Sequence, residues 1–233
     1  MQVTTRDIDM LRWINGHGFA TIRQISCWMG VGYRTGQRRV QRLTEVGLLC
    51  HEWLMRRERI YWPTKLGISL CNDDLPPLGH IAAGTYNHSL QLIDLADSLV
   101  AKTGGTFVPE RRLRHDRGLA GVGVRGHMPD GHLHLPARKP IAIELELSAK
   151  GRRRLAQIMR QYTADLSVGE VWYFAGSETL KRRLENAASH HSMITVRPWP
   201  ISSNSTTSAN SLKVSIGDSG ESYRPDEIEM DAI

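Results

Sequence analysis

PIAIELELSAKGRRRL, residues 140–155, decides how this chain is read. Side chains alternate along a strand. Ile141, Ile143, Leu145 and Leu147 therefore bury one face, and Glu144 and Glu146 share the other. Lys150, Arg152, Arg153 and Arg154 follow in the next turn. Two explanations stand open: a carboxylate cluster built to hold a cation, or the exposed face of an edge strand paired with the arginines. The continuous apolar run opposite the glutamates favours the first, because it makes the strand central.

The flanking segments supply a sheet around that strand. Downstream, GRRRLAQIMRQYTADL is a helix with Leu155, Ile158, Met159 and Tyr162 as its apolar stripe. EVWYFAGS is a buried strand, SETLKRRLENAASHH a helix and MITVRPWPI a last strand. Upstream, TYNHSLQLIDLADSLVAKTGG is an amphipathic helix whose core face includes Leu90, Ile93, Leu99 and Val100, with Gly104 and Gly105 at its end. GTFVPERRLRHD reads as a strand with Glu110 at its end. A glycine-rich stretch then leads into a strand that begins at Pro129-Asp130. The order after residue 80 is α-β-β-β-α-β-α-β, a small mixed α/β sheet with helices on its faces.

A hairpin between the Asp130 and Glu144 strands would bring Asp130, Glu144 and Glu146 together. Three carboxylates are hard oxygen ligands suited to Mg²⁺ or Mn²⁺. Such an ion activates water and stabilises charge on a phosphate. Lys150, four residues beyond Glu146, would reach back to the same point. His127, His132 and His134 surround Asp130 and form a weaker alternative metal set. His88 reads as a capping or buried histidine. Gly121-Val-Gly-Val-Arg-Gly126 fits GxGxxG, but Pro129-Asp130 follows where a nucleotide loop needs a helix.

The first 72 residues have a different layout. TTRDIDMLRWINGHG is a helix capped by Thr4 or Thr5, and TIRQISCWMG is a short second one. VGYRTGQRRVQRLTEVGLL is a third, with Val40, Leu43 and Val46 inward and Gly47 at its C-terminal end. Its outer face carries Arg34, Thr35, Gln37, Arg38, Gln41 and Arg42. Two helices joined by a tight turn, the second polar and basic, is the helix-turn-helix layout. LLCHEWL and RIYWPT then flank the basic turn MRRE as a hairpin, with TKLGISLC as a closing helix. Arg and Gln on the third helix suit base edges in the major groove. Arg56, Arg57 and Arg59 on the hairpin suit phosphates or the minor groove. Gly36 inside that helix costs about 1 kcal/mol relative to Ala.

Composition agrees with a nucleic-acid partner. The net charge is +6 and the pI about 9.5. The stretch from residue 201 to 233 is rich in Ser, Thr and Asn and holds two basic and six acidic residues. It reads as a disordered acidic tail, and it leaves 28 basic and 18 acidic residues upstream. Three cysteines (Cys27, Cys50, Cys71) without CxxC spacing argue against a disulfide framework or structural zinc. No apolar run reaches the ~20 residues of a membrane span, and the N-terminus has no signal-peptide core. A reduced, cytoplasmic protein with no membrane partner is expected.

Residues 5–72 resemble the winged helices of bacterial DNA-binding proteins. Residues 81–200 resemble the PD-(D/E)XK nuclease fold through Pro129-Asp130 and Glu144-Leu145-Glu146. Glu146 stands where that family carries its lysine, and Lys150 would be a migrated equivalent; Glu110 stands where an upstream acidic residue often sits. The ordered series VPERRLR, MPDGH and IAIELELSAKGRRRL behind a winged helix is similar to the replication-relaxation family of plasmids and integrative elements. That resemblance implies a DNA-binding accessory protein of plasmid or mobile-element replication or mobilisation.

The expected organisation is a winged helix over 1–72, a linker over 73–80, a PD-(D/E)XK nuclease-like α/β domain over 81–200 and a tail over 201–233. The catalytic set is Asp130, Glu144, Glu146 and Lys150. Mg²⁺ or Mn²⁺ sits on the three carboxylates if the site is active. Double-stranded DNA is contacted by Arg34, Thr35, Gln37, Arg38, Gln41, Arg42, Arg56, Arg57 and Arg59, with Arg152 and Arg153 beside the carboxylates. Plasmid replication or mobilisation proteins are further expected partners, and a homodimer stays open. Two functions remain: a metal-dependent endodeoxyribonuclease, or a non-enzymatic transcriptional regulator with a degenerate nuclease-like domain.

Overall fold

A reciprocal cap begins the first helix, α1 (Thr5–His17). The Thr4 hydroxyl accepts the Asp7 N–H, and the Asp7 carboxylate accepts the Thr4 N–H. The computed structural model describes residues 2–54, 58–79, 83–121 and 126–200. After α1 come β1 (Ala20–Thr21), α2 (Ile22–Trp28), α3 (Tyr33–Glu45), β2 (Leu49–Leu54), β3 (Glu58–Pro63) and α4 (Lys65–Cys71). The strands form one antiparallel sheet in the order β1-β3-β2. Met10, Leu11, Ile14, Ile25, Val40 and Leu43 close the core beneath them.

Gly36 explains how tightly α2 and α3 pack. A Cβ at this position would lie 2.1 Å from Ser26 Oγ and 3.2 Å from Ser26 Cα. What is lost in helix propensity is the condition for the close approach of these helices. Val46 is not part of the inward stripe: it ends α3 and is exposed.

The second half contains α5 (Tyr86–Thr103), β4 (Thr106–Pro109), α6 (Glu110–Leu119), β5 (Gly131–His134), β6 (Ile141–Glu146), α7 (Arg152–Ala164), β7 (Glu170–Ala175), α8 (Glu178–Ala188) and β8 (Ile194–Pro198). Its five-stranded sheet runs β4-β5-β6-β7-β8. The first three strands pair antiparallel and the last three parallel. β6 is therefore the middle strand. Ile141, Ile143 and Leu145 face a layer with Leu95 and Leu99 of α5. Ala142 on the other face packs with Leu155, Ile158, Met159 and Tyr162 of α7. The protein is thus a mixed α/β structure, with eight α-helices and two sheets among the described residues.

Two expectations are corrected here. Glu110 does not end a strand but opens α6, a helix that adds one element to the expected order. No residue of α6 is buried, so it carries no apolar stripe to reveal it. Val100 of α5 faces outward instead of into the core.

α6 is held by polar contacts. Arg112 binds both Asp73 and Asp74, and Arg111 binds Pro76 O and, at 2.5 Å, Asn15 O. Asn15 in turn donates to Leu75 O at 2.7 Å. Gln24 of α2 donates to Leu90 O and Asp94 of α5, both at 2.9 Å. These bonds tie α1, α2, the 73–79 segment, α5 and α6 together, within one unit spanning Met1–Ser202. Among the described residues no helix is long and apolar enough to cross a membrane. The expected tail lies outside the described residues.

Candidate active site and nucleic-acid interface

β6 is buried along its whole length, and both of its glutamates are buried with it, 2% and 4% exposed. The edge-strand explanation therefore fails. A buried carboxylate is expensive unless it is neutralised or well bonded, and each acid here has partners. Glu144 Oε1 takes a contact from His127 Nε2 at 2.5 Å and accepts the Tyr162 hydroxyl. Burial pushes the Glu144 carboxyl above its ordinary range and the Asp130 charge adds to this, only partly offset by His127 and Tyr162. Burial and the Glu144 charge likewise hold the Tyr162 phenol well above its usual value. Tyr173 of β7 pairs with Glu144 in the ladder. Its buried hydroxyl has no hydrogen-bond partner among the described residues.

Glu146 is bound by Lys150, which lies two residues before α7. Burial pulls the Lys150 ammonium down. The Glu146 bond and the charges of Glu144, Glu146 and Asp130 outweigh it, and the group is held above its usual range. Arg183 of α8 donates to Lys150 O at 2.5 Å and fixes the turn.

Asp130 sits one step before the β5–β6 ladder, where Gly131 pairs with Ile143. Its Oδ2 accepts the Leu145 N–H at 2.7 Å. His88 of α5 lies 3.3 Å from the same oxygen and 3.0 Å from Leu145 O. The Asp130 bond raises the His88 imidazole above its usual value, against the pull of burial. Gly131 is a packing requirement rather than a turn residue: a Cβ there would lie 2.2 Å from the Phe107 ring.

These groups meet at a cleft of about 440 Å³. Asp130, Glu144 and Lys150 line it together with His127, Gln157 and Gln161, and Glu110, Arg114 and Arg154 also border it. Glu146 is not on the lining but reaches it through Lys150. Arg152 and Arg153 stand exposed in the first turn of α7, outside the lining; Arg154 is the arginine of that run that reaches the cleft. The sequence reading missed Tyr162 as a polar partner and weighed His88 and His127 too lightly. Proximity to Pro129-Asp130 was the available signal for His127.

The donor chemistry suits a hard divalent cation, since every contact named above falls on one oxygen of each carboxylate. The three do not meet at one point, however. Among the described residues no three His, Cys, Asp or Glu side chains are arranged as a metal-ligand group. Lys150 stands on Glu146, and His127 on Glu144.

A second polar surface lies on α3. Arg34, Thr35, Gln37, Arg38, Gln41 and Arg42 are all exposed. No ion pair joins Arg34, Arg38 or Arg42 to a described residue. Arg39 differs: it turns inward and binds the buried Asp7 of α1. On the hairpin, Arg59 lies over the Trp53 ring at 4.5 Å from its centroid. Arg56 and Arg57 lie outside the described residues. Tyr33 and Trp53, not singled out from the sequence, are exposed aromatics beside this face.

No protein-family model matches the chain, and no curated protein matches it.

Proposed function

We propose that this protein binds duplex DNA and cleaves it at the carboxylate cleft. The N-terminal part is read as a winged helix, with α3 as the helix entering the major groove and the β2–β3 hairpin as the wing. The second half is read as a PD-(D/E)XK-like nuclease domain. Support for that reading comes from one observation above all. A fully buried central strand carries Glu144 and Glu146, beside Asp130 on its antiparallel neighbour, with Lys150 at a cleft bordered by Arg114 and Arg154. A fold does not keep this charge in its middle for stability, since apolar residues of like volume serve as well or better.

Arg154 would hold the phosphate, Arg114 beside it being paired with Glu110, and Lys150 would stabilise the charge that grows on it. Asp130, Glu144 and Glu146 would hold Mg²⁺ or Mn²⁺ only once Lys150 and His127 release their carboxylates; the ion, when bound, would supply an activated water and neutralise charge. His88 and the Leu145 N–H keep Asp130 aimed at the cleft. The resemblance to the replication-relaxation family makes plasmid or mobile-element replication or mobilisation the setting for this activity.

A second reading is favoured by the partners the carboxylates already hold. With Lys150 on Glu146 and no three-ligand group among the described residues, the domain would be a non-enzymatic platform behind a DNA-reading winged helix. Plasmid cleavage in Mg²⁺ and in Mn²⁺ decides between them, comparing wild type with Asp130→Ala and running gel shifts in parallel. Nicking or linearisation that the variant loses while still binding DNA supports the nuclease. Binding by both without cleavage supports the platform. Failure of the wild type to bind duplex DNA overturns both.

A further inference from the structure

The groove between α3 and the hairpin is lined by Tyr33 and Gln37 on one side and by Trp53 and Arg59 on the other, with Tyr61 also in its wall. Its volume is about 640 Å³. Trp53 is 53% and Tyr33 55% exposed, costly positions for two large aromatic side chains. Trp53 stands directly opposite Arg59 in the β2–β3 register, and the guanidinium covers one face of the indole.

Charge selects the occupant. Arg34, Arg38 and Arg42 line the exposed face of α3, without acidic partners among the described residues. Within the groove, Glu58 stands near the aromatic side chains. Arg59 offsets Glu58 there, so the groove offers a phosphate no net charge; a phosphate is drawn instead to the α3 flank, and the groove is left for a neutral, flat group. Bases in a duplex are stacked on one another and offer no free face. Unpaired bases do, and stacking on aromatic side chains is how proteins hold them.

We infer that this groove binds unpaired bases, so that the preferred substrate is a duplex carrying a single-stranded arm. The inference rests on the DNA-binding reading of α3. It places the strand junction at the hairpin, with the duplex on the α3 face and the first unpaired base against Trp53 and Tyr33.

Fluorescence anisotropy in EDTA, which prevents cleavage, tests this with a blunt labelled duplex and the same duplex extended by an unpaired arm. The armed probe is expected to bind roughly tenfold more tightly, the effect of about one stacked base. Trp53→Ala and Tyr33→Ala are each expected to narrow that ratio, with circular dichroism confirming that both variants are folded. Trp53→Phe, which keeps a ring, is expected to retain most of it. Equal affinity of the wild type for the two probes, or a ratio unchanged in both alanine variants, overturns the inference while leaving the duplex-binding reading intact. Arg38→Ala reads that premise separately: it should weaken both probes alike, and binding of neither probe by the wild type overturns premise and inference together.

Discussion

Replacing Lys150 by Met tests whether the cleft holds ionised carboxylates. The substitution keeps the stem and removes the ammonium that Glu146 binds. Glu146 is 5% exposed at its side chain, so water cannot take over the role of the lysine. Breaking a buried ion pair from one side costs about 3–5 kcal/mol. The Lys150 side chain is 28% exposed, which places the pair near the lower end, about 3 kcal/mol. For a chain of this size that is a fall in Tm of about 6–12 °C. Adding Glu146→Gln should recover most of it, because the uncompensated charge is gone. Thermal melts in EDTA at neutral pH read both variants. The lysine pKa is raised on folding from an ordinary 10.5. Its contribution is therefore fully present below pH 10.5 and lost as pH rises through the higher folded value. The gap between wild type and Lys150→Met should hold through neutral pH and close only in strong alkali. A Tm within about 2 °C of wild type, with no recovery in the double variant, would refute the claim that Glu146 is ionised and held by Lys150.

Other outcomes follow from the same contacts. Arg39→Ala should cost about 3 kcal/mol by stranding Asp7, which is 1% exposed, whereas Arg38→Ala should leave the melt unchanged and weaken DNA binding. Gly36→Ala, normally worth about 1 kcal/mol in a helix, should instead lower Tm, because the new methyl would meet Ser26 2.1 Å away; an unchanged or higher Tm contradicts the described α2–α3 packing. Asp97 is pushed up to about 7, first by burial and then by the Asp94 charge. An acid raised on folding destabilises progressively as pH climbs from its ordinary 3.8 through the folded value. Asp97→Asn should therefore add little near pH 4 and about 2 kcal/mol at pH 8, read from melts across that range.

What the sequence could reveal was whatever repeats along the chain. α7 declared itself through Leu155, Ile158, Met159 and Tyr162, because burial of one face imposes a period on residue type, and β6 through the alternation of its apolar residues with Glu144 and Glu146 on the site-facing side. α6 left no such trace. Its stability comes from Arg111 and Arg112 reaching the 73–79 segment and α1, and a polar contact made across tens of residues has no local period. His127 and Glu144 are 17 residues apart and meet only because β5 and β6 pair. Tyr162 served the α7 stripe, so its hydroxyl was hidden behind its ring.

The arginines of α3 show the same limit from the other side. Arg38 and Arg39 are adjacent, with identical side chains, and sequence alone gives them the same chemistry. Successive residues on a helix point about 100° apart, and that rotation sends Arg39 to Asp7 while Arg38 stays in solvent. Arg34, Arg38 and Arg42, each four residues from the next, share one helix face, and that spacing already excludes Arg39. What it could not supply was the acid waiting for it, because Asp7 is 32 residues away on α1. The basic surface that α3 presents is therefore smaller than its count of arginines. It is set by which guanidiniums the fold has already used, a rule that applies equally to Arg112 on α6.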